Sequence, residues 1–297
     1  MNEVDEFEAQ RARLFGIAYR MLGSAVAAED IVQDAYLRWR QADGVEQPSA
    51  WLATVVTNLC LTELTSARAR RERYVGPWLP EPVATGDGAL GPVDTVERRE
   101  SVSFALLLLM ERLSPVERAV FVLREAFAYP HAEIAGVLGL SEVNSRQIHH
   151  RARRGLDGHR PRASADRDHA LVERFFAAAQ LGDVAALEKL LADDVVSWAD
   201  GGGKVNSARR PVVGANRVAR YLVGITTRLT KATEFTVVEV NGDIGVLGWV
   251  DGVAAGLIVP QIDDGKVVAL RIQANPDKLG YLAGQLSRSR ELSGLQG

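Results

Sequence analysis

Along the first seventy residues the apolar positions recur at helical spacing. LFGIAYRML (Leu14–Leu22) carries one such stripe, and AAEDIVQDAYLRWRQ (Ala27–Gln41) repeats it with Ile31, Val32, Ala35, Tyr36 and Trp39. DGVEQPS (Asp43–Ser49) has the Gly and Pro of a loop. AWLATVVTNLCLTELTSARARRER then predicts a third long helix that ends in arginines. YVGPWLPEPVATGDGALGP (Tyr74–Pro92) is rich in Pro and Gly and predicts a linker. A second helical block follows from Thr95 to about Leu156, with Ser114-Pro115 as a start signal: Ser as the cap, Pro in the first turn. Its end, PHAEIAGVLGLSEVNSRQIHHRARRGL, reads as helix, Gly-Leu-Ser break, helix, the shape of a helix-turn-helix.

From Asp168 the period changes. Two short helices (His169–Gln180, Val184–Leu191) precede VVSWAD, a loop and a helix at Ala215–Ile225. The runs EFTVVEV, GVLGWV, AAGLIVPQI and KVVALRIQ alternate like strands, separated at Asn241-Gly242 and Asp264-Gly265 by strong turn dipeptides. Helices followed by a strand meander predict an α+β domain. The expectation is a multidomain chain: all-α over 1–74, a linker over 75–94, an all-α helix-turn-helix block over 95–162, an α+β domain over 163–287 and a disordered tail over 288–297.

Composition narrows the class. The 297 residues suffice for two or three cores, with 47% apolar and 25% charged residues, ordinary values for a globular protein. SFALLLLM (Ser103–Met110) is far short of a membrane span, and the acidic N-terminus (Glu3, Asp5, Glu6, Glu8) is unlike a secretory signal. One cysteine, Cys60, leaves no internal disulfide and suits a reducing cytoplasm, the expected location. The net charge of −3 conceals two basic clusters, Ala67–Arg73 and Arg146–Arg162, in a largely acidic body. Two concentrated basic segments suggest a polyanion touched at two places, although two solvated helix faces would read the same way. Every Lys or Arg before Lys189 is an arginine, whose planar fork suits phosphates and guanine edges.

On a helix from Glu142 to Leu156, Ile148, Ala152 and Leu156 point inward, leaving Arg146, His150 and Arg153 on one outward face beside Gln147 and Arg154. That is the layout of a recognition helix in a DNA groove. The first basic cluster closes a helix bearing Trp51 and Asn58, side chains of the kind that stack on or bond to unpaired bases. Trp51 is almost as readily a core residue.

RLFGIAYRMLGS…AEDIVQDAYLRWRQ…PSAWLATVVTNLCLTEL resembles the second conserved region of extracytoplasmic-function sigma factors, and LSPVERAVFVLRE…EIAGVLGLSEVNSRQIHHRARR resembles their fourth. The resemblance spans roughly the first 160 residues. YVGPWLPEP, DGGGK and NPDKL further resemble the SigJ-type subgroup, which carries a C-terminal SnoaL-like domain, a cone-shaped α+β fold. The resemblance implies an alternative sigma factor that binds core RNA polymerase, at its β′ clamp helices and β flap, and directs initiation at promoter DNA. It implies that Asp30, Gln33 and Asp34 dock on the clamp helices, and that Trp51, Asn58, Arg68, Arg70 and Arg71 serve the minus-ten element. Ser145, Arg146, Gln147, His150 and Arg153 then serve the minus-thirty-five element, His150 standing where many members have another residue type. It implies a monomer in the holoenzyme and no membrane association.

WADGGGKV (Trp198–Val205) invites a phosphate-loop reading, but G-x-x-x-x-G-K-[ST] needs an earlier glycine and a hydroxyl after the lysine, and here Val205 and Asn206 follow. A flexible hairpin-like loop is the plain alternative. The resemblance instead makes Asp200, Gly201, Gly202, Gly203 and Lys204 a contact toward the sigma domains or their linker, with Asn275, Pro276, Asp277, Lys278 and Leu279 as a second contact. Together they would let the C-terminal domain regulate the sigma domains in cis. A rival reading makes that domain an isomerase-like enzyme with Asp200 or Asp251 as base, Tyr221 and Tyr281 nearby and Trp198 and Trp249 as walls, but no acid–base pair stands out. A small-molecule pocket that shifts the domains is another reading, and a one-component helix-turn-helix regulator a third; the latter would not need the first helical block. No catalytic residue, cofactor motif or metal-ligand spacing emerges.

Overall fold

The computed structural model describes residues 3–85, 90, 102–156, 165–227 and 233–294. The chain forms two units, each with its own core. One comprises Met1–Arg73 and Thr85–Arg162, the other Tyr74–Ala84 and Ala163–Gly297.

The first unit is helical. α1 (Glu3–Leu22), α2 (Ala25–Trp39) and α3 (Pro48–Glu72) form its first part. Ser24 caps α2 by accepting from the Ala27 amide at 3.1 Å, and Ala25, Ala28, Ile31, Val32, Ala35 and Trp39 turn one stripe inward. They meet Leu14, Ile17, Ala18 and Met21 of α1 and Leu52, Val56 and Cys60 of α3, all fully buried. The second part is α4 (Phe104–Met110), α5 (Pro115–Glu125), α6 (His131–Leu138) and α7 (Glu142–Gly155). Ser114 and Glu117 form a reciprocal capping box with Pro115 in the first turn, so α5 starts where the sequence signals it. Accepting that bond holds the Glu117 carboxyl below its ordinary range. Ser141 caps α7 through the Asn144 amide at 3.1 Å.

The second unit is α+β: α8 (Ala165–Gln180), α9 (Val184–Leu190), β1 (Leu191–Asp200), β2 (Val212–Val213), α10 (Ala215–Thr226), β3 (Thr233–Val240), β4 (Asp243–Val250), β5 (Val253–Asp263), β6 (Lys266–Gln273) and α11 (Pro276–Gly294). The strands lie in the order β2-β1-β6-β5-β4-β3, with β1 parallel to β6 and every other pair antiparallel. Register shifts on β1 and β5 and between Gly248 and Trp249 interrupt the ladders, and such irregularities bend a sheet. Val172, Phe175, Leu187, Val218 and Leu222 from the helices close over Val195, Val246, Val267 and Leu270 of the sheet. This is the α+β domain expected after the two all-α blocks in sequence.

Three local readings change. Leu191 opens β1 rather than ending a helix, since it pairs with Val267 on β6. The C-terminal segment expected to be a disordered tail continues α11 to Gly294, with no proline after Pro276 to stop it. The expected linker is also not one piece: 74–84 belongs with the second unit and Leu90 is buried in the first.

Candidate functional site

On α7, Ile148 and Ala152 are buried, while Arg146, Gln147, His150 and Arg153 are exposed along one face. Arg146 pairs loosely with Glu142 one turn earlier, both side chains being largely exposed. Ser145 differs from its expected place among the DNA contacts. It is fully buried, and its hydroxyl lies 3.0 Å from Nδ1 of His131 on α6. Ser145, Ile148 and Ala152 form one inward stripe (i, i+3, i+7), so this hydroxyl ties the two helices of the motif together. His149 ties α7 to the end of α5, 2.7 Å from Oε1 of Glu125, and that bond holds the Glu125 carboxyl below its usual range.

On α2, Asp30, Gln33 and Asp34 are exposed on one face, with Val26 and Leu37 at 50% and 49% exposure extending it along the helix. Trp51 is half-buried against Trp39 at 5.8 Å between ring centres, whereas Asn58 is exposed. Arg71 is engaged within the unit, donating to the Leu22 carbonyl and pairing with Glu111. The side chains of Arg68 and Arg70 lie outside those described.

The residues of DGGGK and NPDKL meet in the second unit because β1 and β6 run parallel and bring their C-terminal ends together, Asp200 opposite Gln273. The acids and bases pair across the two motifs. Lys278 donates to Asp200 at 2.7 Å, with side chains 9% and 0% exposed, while Lys204 meets Asp277 at 2.6 Å in solvent. Around the buried pair closes the segment 74–84. Asp200 accepts from the Tyr74 hydroxyl at 2.6 Å, the Leu79 amide at 2.9 Å and the Gly202 amide at 3.0 Å. Lys278 also donates to the Leu79 carbonyl at 2.7 Å and sits over the rings of Tyr74 and Trp78, at 4.6 and 4.5 Å. Asn275 donates to the Tyr74 hydroxyl at 2.9 Å. Burial, then the bond to Asp200, pushes the Tyr74 phenol far above its usual range, so it stays a donor.

The grip extends along the segment. The Val83 amide donates to the Asn241 side chain at 3.1 Å, the Asn241 amide returns a bond to the Val83 carbonyl at 3.0 Å, and the Ala84 amide donates to Gln285 at 3.0 Å. Leu79 and Val83 are buried. Gly202 and Gly203 both have φ in the left-handed region; a Cβ on Gly202 would strike the Asn275 amide and one on Gly203 would press on Val75. Gly202 and Gly203 therefore let the side chains of Asn275 and Val75 lie close against the loop backbone. Tyr74, Trp78, Leu79, Asn241, Gln273 and Gln285 complete this site and were not singled out from the sequence, although the aromatic–proline run YVGPWLPEP marked the segment.

The enzyme-like candidates do not converge. Asp251 sits exposed in the β4–β5 turn, His169 is exposed on α8 beside Glu173, and the Tyr221 hydroxyl accepts from the Ala208 amide. Trp249 bonds Thr236 at 3.1 Å. Among the described residues no cluster suits a metal ion and no helix is long and apolar enough to cross a membrane.

Comparison with known proteins agrees with both units. Residues 7–70 match the family described as sigma-70 region 2, and residues 103–156 match sigma-70, region 4. An ECF RNA polymerase sigma factor SigJ of Mycobacterium tuberculosis is 43% identical over 93% of this chain and 93% of its own length. A probable ECF RNA polymerase sigma factor SigI of the same organism is 34% identical over 94% of this chain and 96% of its own. The crystal structure of the M. tuberculosis extracytoplasmic function sigma factor SigJ superposes with a TM-score of 0.74 at 39% identity, covering 94% of this chain and 98% of that one. With both sigma regions in order and a relative of this identity matched along nearly its whole length, the chain belongs to the extracytoplasmic-function family of RNA polymerase sigma factors.

Proposed function

We propose that this sigma factor docks on the β′ clamp helices of core RNA polymerase through Asp30, Gln33 and Asp34 of α2, and on the β flap through its helix-turn-helix block. Trp51, Asn58 and the arginines ending α3 serve the minus-ten element, and Arg146, Gln147, His150 and Arg153 read the minus-thirty-five element. The observation that carries this reading is the outward face of α7, four hydrogen-bonding side chains standing clear on the second helix of a helix-turn-helix. Ser145 acts behind that face, holding α6. The protein works in the cytoplasm as one copy per holoenzyme.

The C-terminal unit acts in cis by gripping 74–84, the chain that follows the first sigma region. Its buried pair, Asp200 and Lys278, fixes that stretch of backbone. A small molecule bound in this unit would act through the same grip and would raise its melting temperature.

Run-off transcription with purified core polymerase and a promoter library tests the reading. The chain is expected to co-migrate with core polymerase and to select a two-part promoter. Arg146→Ala should relax base preference at one position of the upstream element by about 1–3 kcal/mol. Failure to co-migrate, or promoter binding without polymerase, would overturn it.

A further inference from the structure

Resting on the sigma reading, we infer that Val143, in the first turn of α7, reads the C5-methyl group of one thymine in the upstream promoter element, which makes it a specificity-determining residue beside Arg146 and Gln147.

Its position on the helix carries the inference. Among the described residues of the helix-turn-helix block, the exposed large apolar side chains are Val116 on α5, at 38%, and Val143, at 66%. Around α7, Val143 lies about 140–180° from the buried stripe of Ser145, Ile148 and Ala152. It therefore occupies the middle of the outward face, in line with Gln147 and His150 at i+4 and i+7 and next to Arg146 at i+3, all of them exposed. Core packing gains nothing from it there. Helix preference does not account for it either, because a β-branched residue forms helix less well than the alanine or glutamate that would suit a wet face.

Chemistry then selects the partner. The side chain of Val143 has no donor or acceptor, so neither a phosphate nor the polar edge of a base gains by meeting it. In the major groove the apolar group on a base edge is the thymine C5-methyl, and an aliphatic side chain against that methyl helps to tell T·A from the other pairs. Recognition helices present their N-terminal residues to base edges, and Val143 is the second residue of α7. Arg146, Arg153 and Arg154 stand exposed around it, cations suited to the phosphates and guanines of the same groove. Glu142, the acid of this turn, is paired with Arg146, so its charge is not presented bare to the DNA.

Spacing narrows the choice of base. Val143 and Arg146 are about 4.5 Å apart along the helix axis and successive base pairs about 3.4 Å apart, so the thymine lies within about two base pairs of the base that Arg146 reads. Taking one methyl out of water against the valine is worth about a fourfold gain in affinity.

The test measures binding of the assembled holoenzyme to the promoter selected from the library. Each thymine of the upstream element is replaced in turn by deoxyuridine, which lacks only the methyl. With the wild-type chain, one replacement near the base whose preference Arg146→Ala relaxes should weaken binding by about fourfold. Val143→Ala should weaken binding to the thymine promoter by a similar factor and be indifferent to that deoxyuridine. Val143→Thr keeps a γ-methyl and should remain sensitive to it. An upstream element without thymine at that place, or a deoxyuridine effect that is absent or equal in the wild type and Val143→Ala, would overturn the methyl contact. So would a Val143→Ala chain that co-migrates poorly with core polymerase while its assembled holoenzyme binds promoter normally, since the face would then meet protein. The sigma reading is scored apart, by co-migration of the wild-type chain and by the base preference of Arg146→Ala. Its failure takes the methyl contact with it, whereas both of those results can stand while the methyl contact alone falls.

Discussion

The two ends of the segment joining the sigma regions are held by different physics. Residues 74–84 are gripped by the second unit through a buried ion pair, amide side chains and two aromatic rings, with at least four of its backbone groups bonded to side chains. Leu90 is held in the first unit by its own burial and by one carbonyl accepting from Arg20. The first grip is all-or-none, because neither Asp200 nor Lys278 tolerates losing its partner in a place closed to water. The second is graded, one neutral acceptor and an apolar side chain. Residues 74–84 are thus fixed by buried charge, and Leu90 by apolar burial and one neutral acceptor.

The largest effect should come from Asp200→Ala, which leaves Lys278 buried without its carboxylate. A loss of about 3–5 kcal/mol in the second unit is expected by urea unfolding, with new protease cleavage within 74–84. The double variant Asp200→Ala, Lys278→Met should recover part of it, and no recovery would deny the buried pair its place in the comparison. Next, Arg20→Met keeps much of the buried volume but leaves the Leu90 carbonyl without that donor. About 1–3 kcal/mol should be lost from the first unit, with 74–84 still protected. Gly202→Ala combines a left-handed backbone with a collision against Asn275 and should cost about 1–3 kcal/mol, again exposing 74–84 to protease. Smallest is Lys204→Ala. Its pair with Asp277 is more than half exposed, so the change should be about 0.2–1 kcal/mol and fade as salt is added. An equal cost for Lys204→Ala and Asp200→Ala would erase the distinction between the buried and the exposed pair.

Much of the helical half was legible because local signals decide it. The Ser114–Glu117 box, the Ser141 cap and the Ile148–Ala152 spacing place α5 and α7 within a residue or so. Ser145 lies on the inward stripe, as its spacing to Ile148 and Ala152 requires, although a polar residue beside cationic ones reads locally as a DNA contact. The site in the second unit was half legible. DGGGK and NPDKL stood out, but which acid meets which base did not, because the fold pairs them across motifs. The tail was missed because a segment rich in Ser and Arg has weak local preference, and α11 extends through it from a docked start at Leu279 and Leu282.

The sequence by itself determined where the capped helices begin, which stripes turn inward and that Arg146 and Arg153 stay outside on α7, since caps and periodicity act over a few residues. Only the tertiary structure decided that Asp200 meets Lys278, that Tyr74 and Leu79 close over them, and that Arg13 bridges Ser49 to Tyr129. The physical reason is range. A buried charge takes its partner from whatever the chain brings within hydrogen-bond distance, and here a parallel strand pair and a returning linker bring it from 78 to more than 100 residues away.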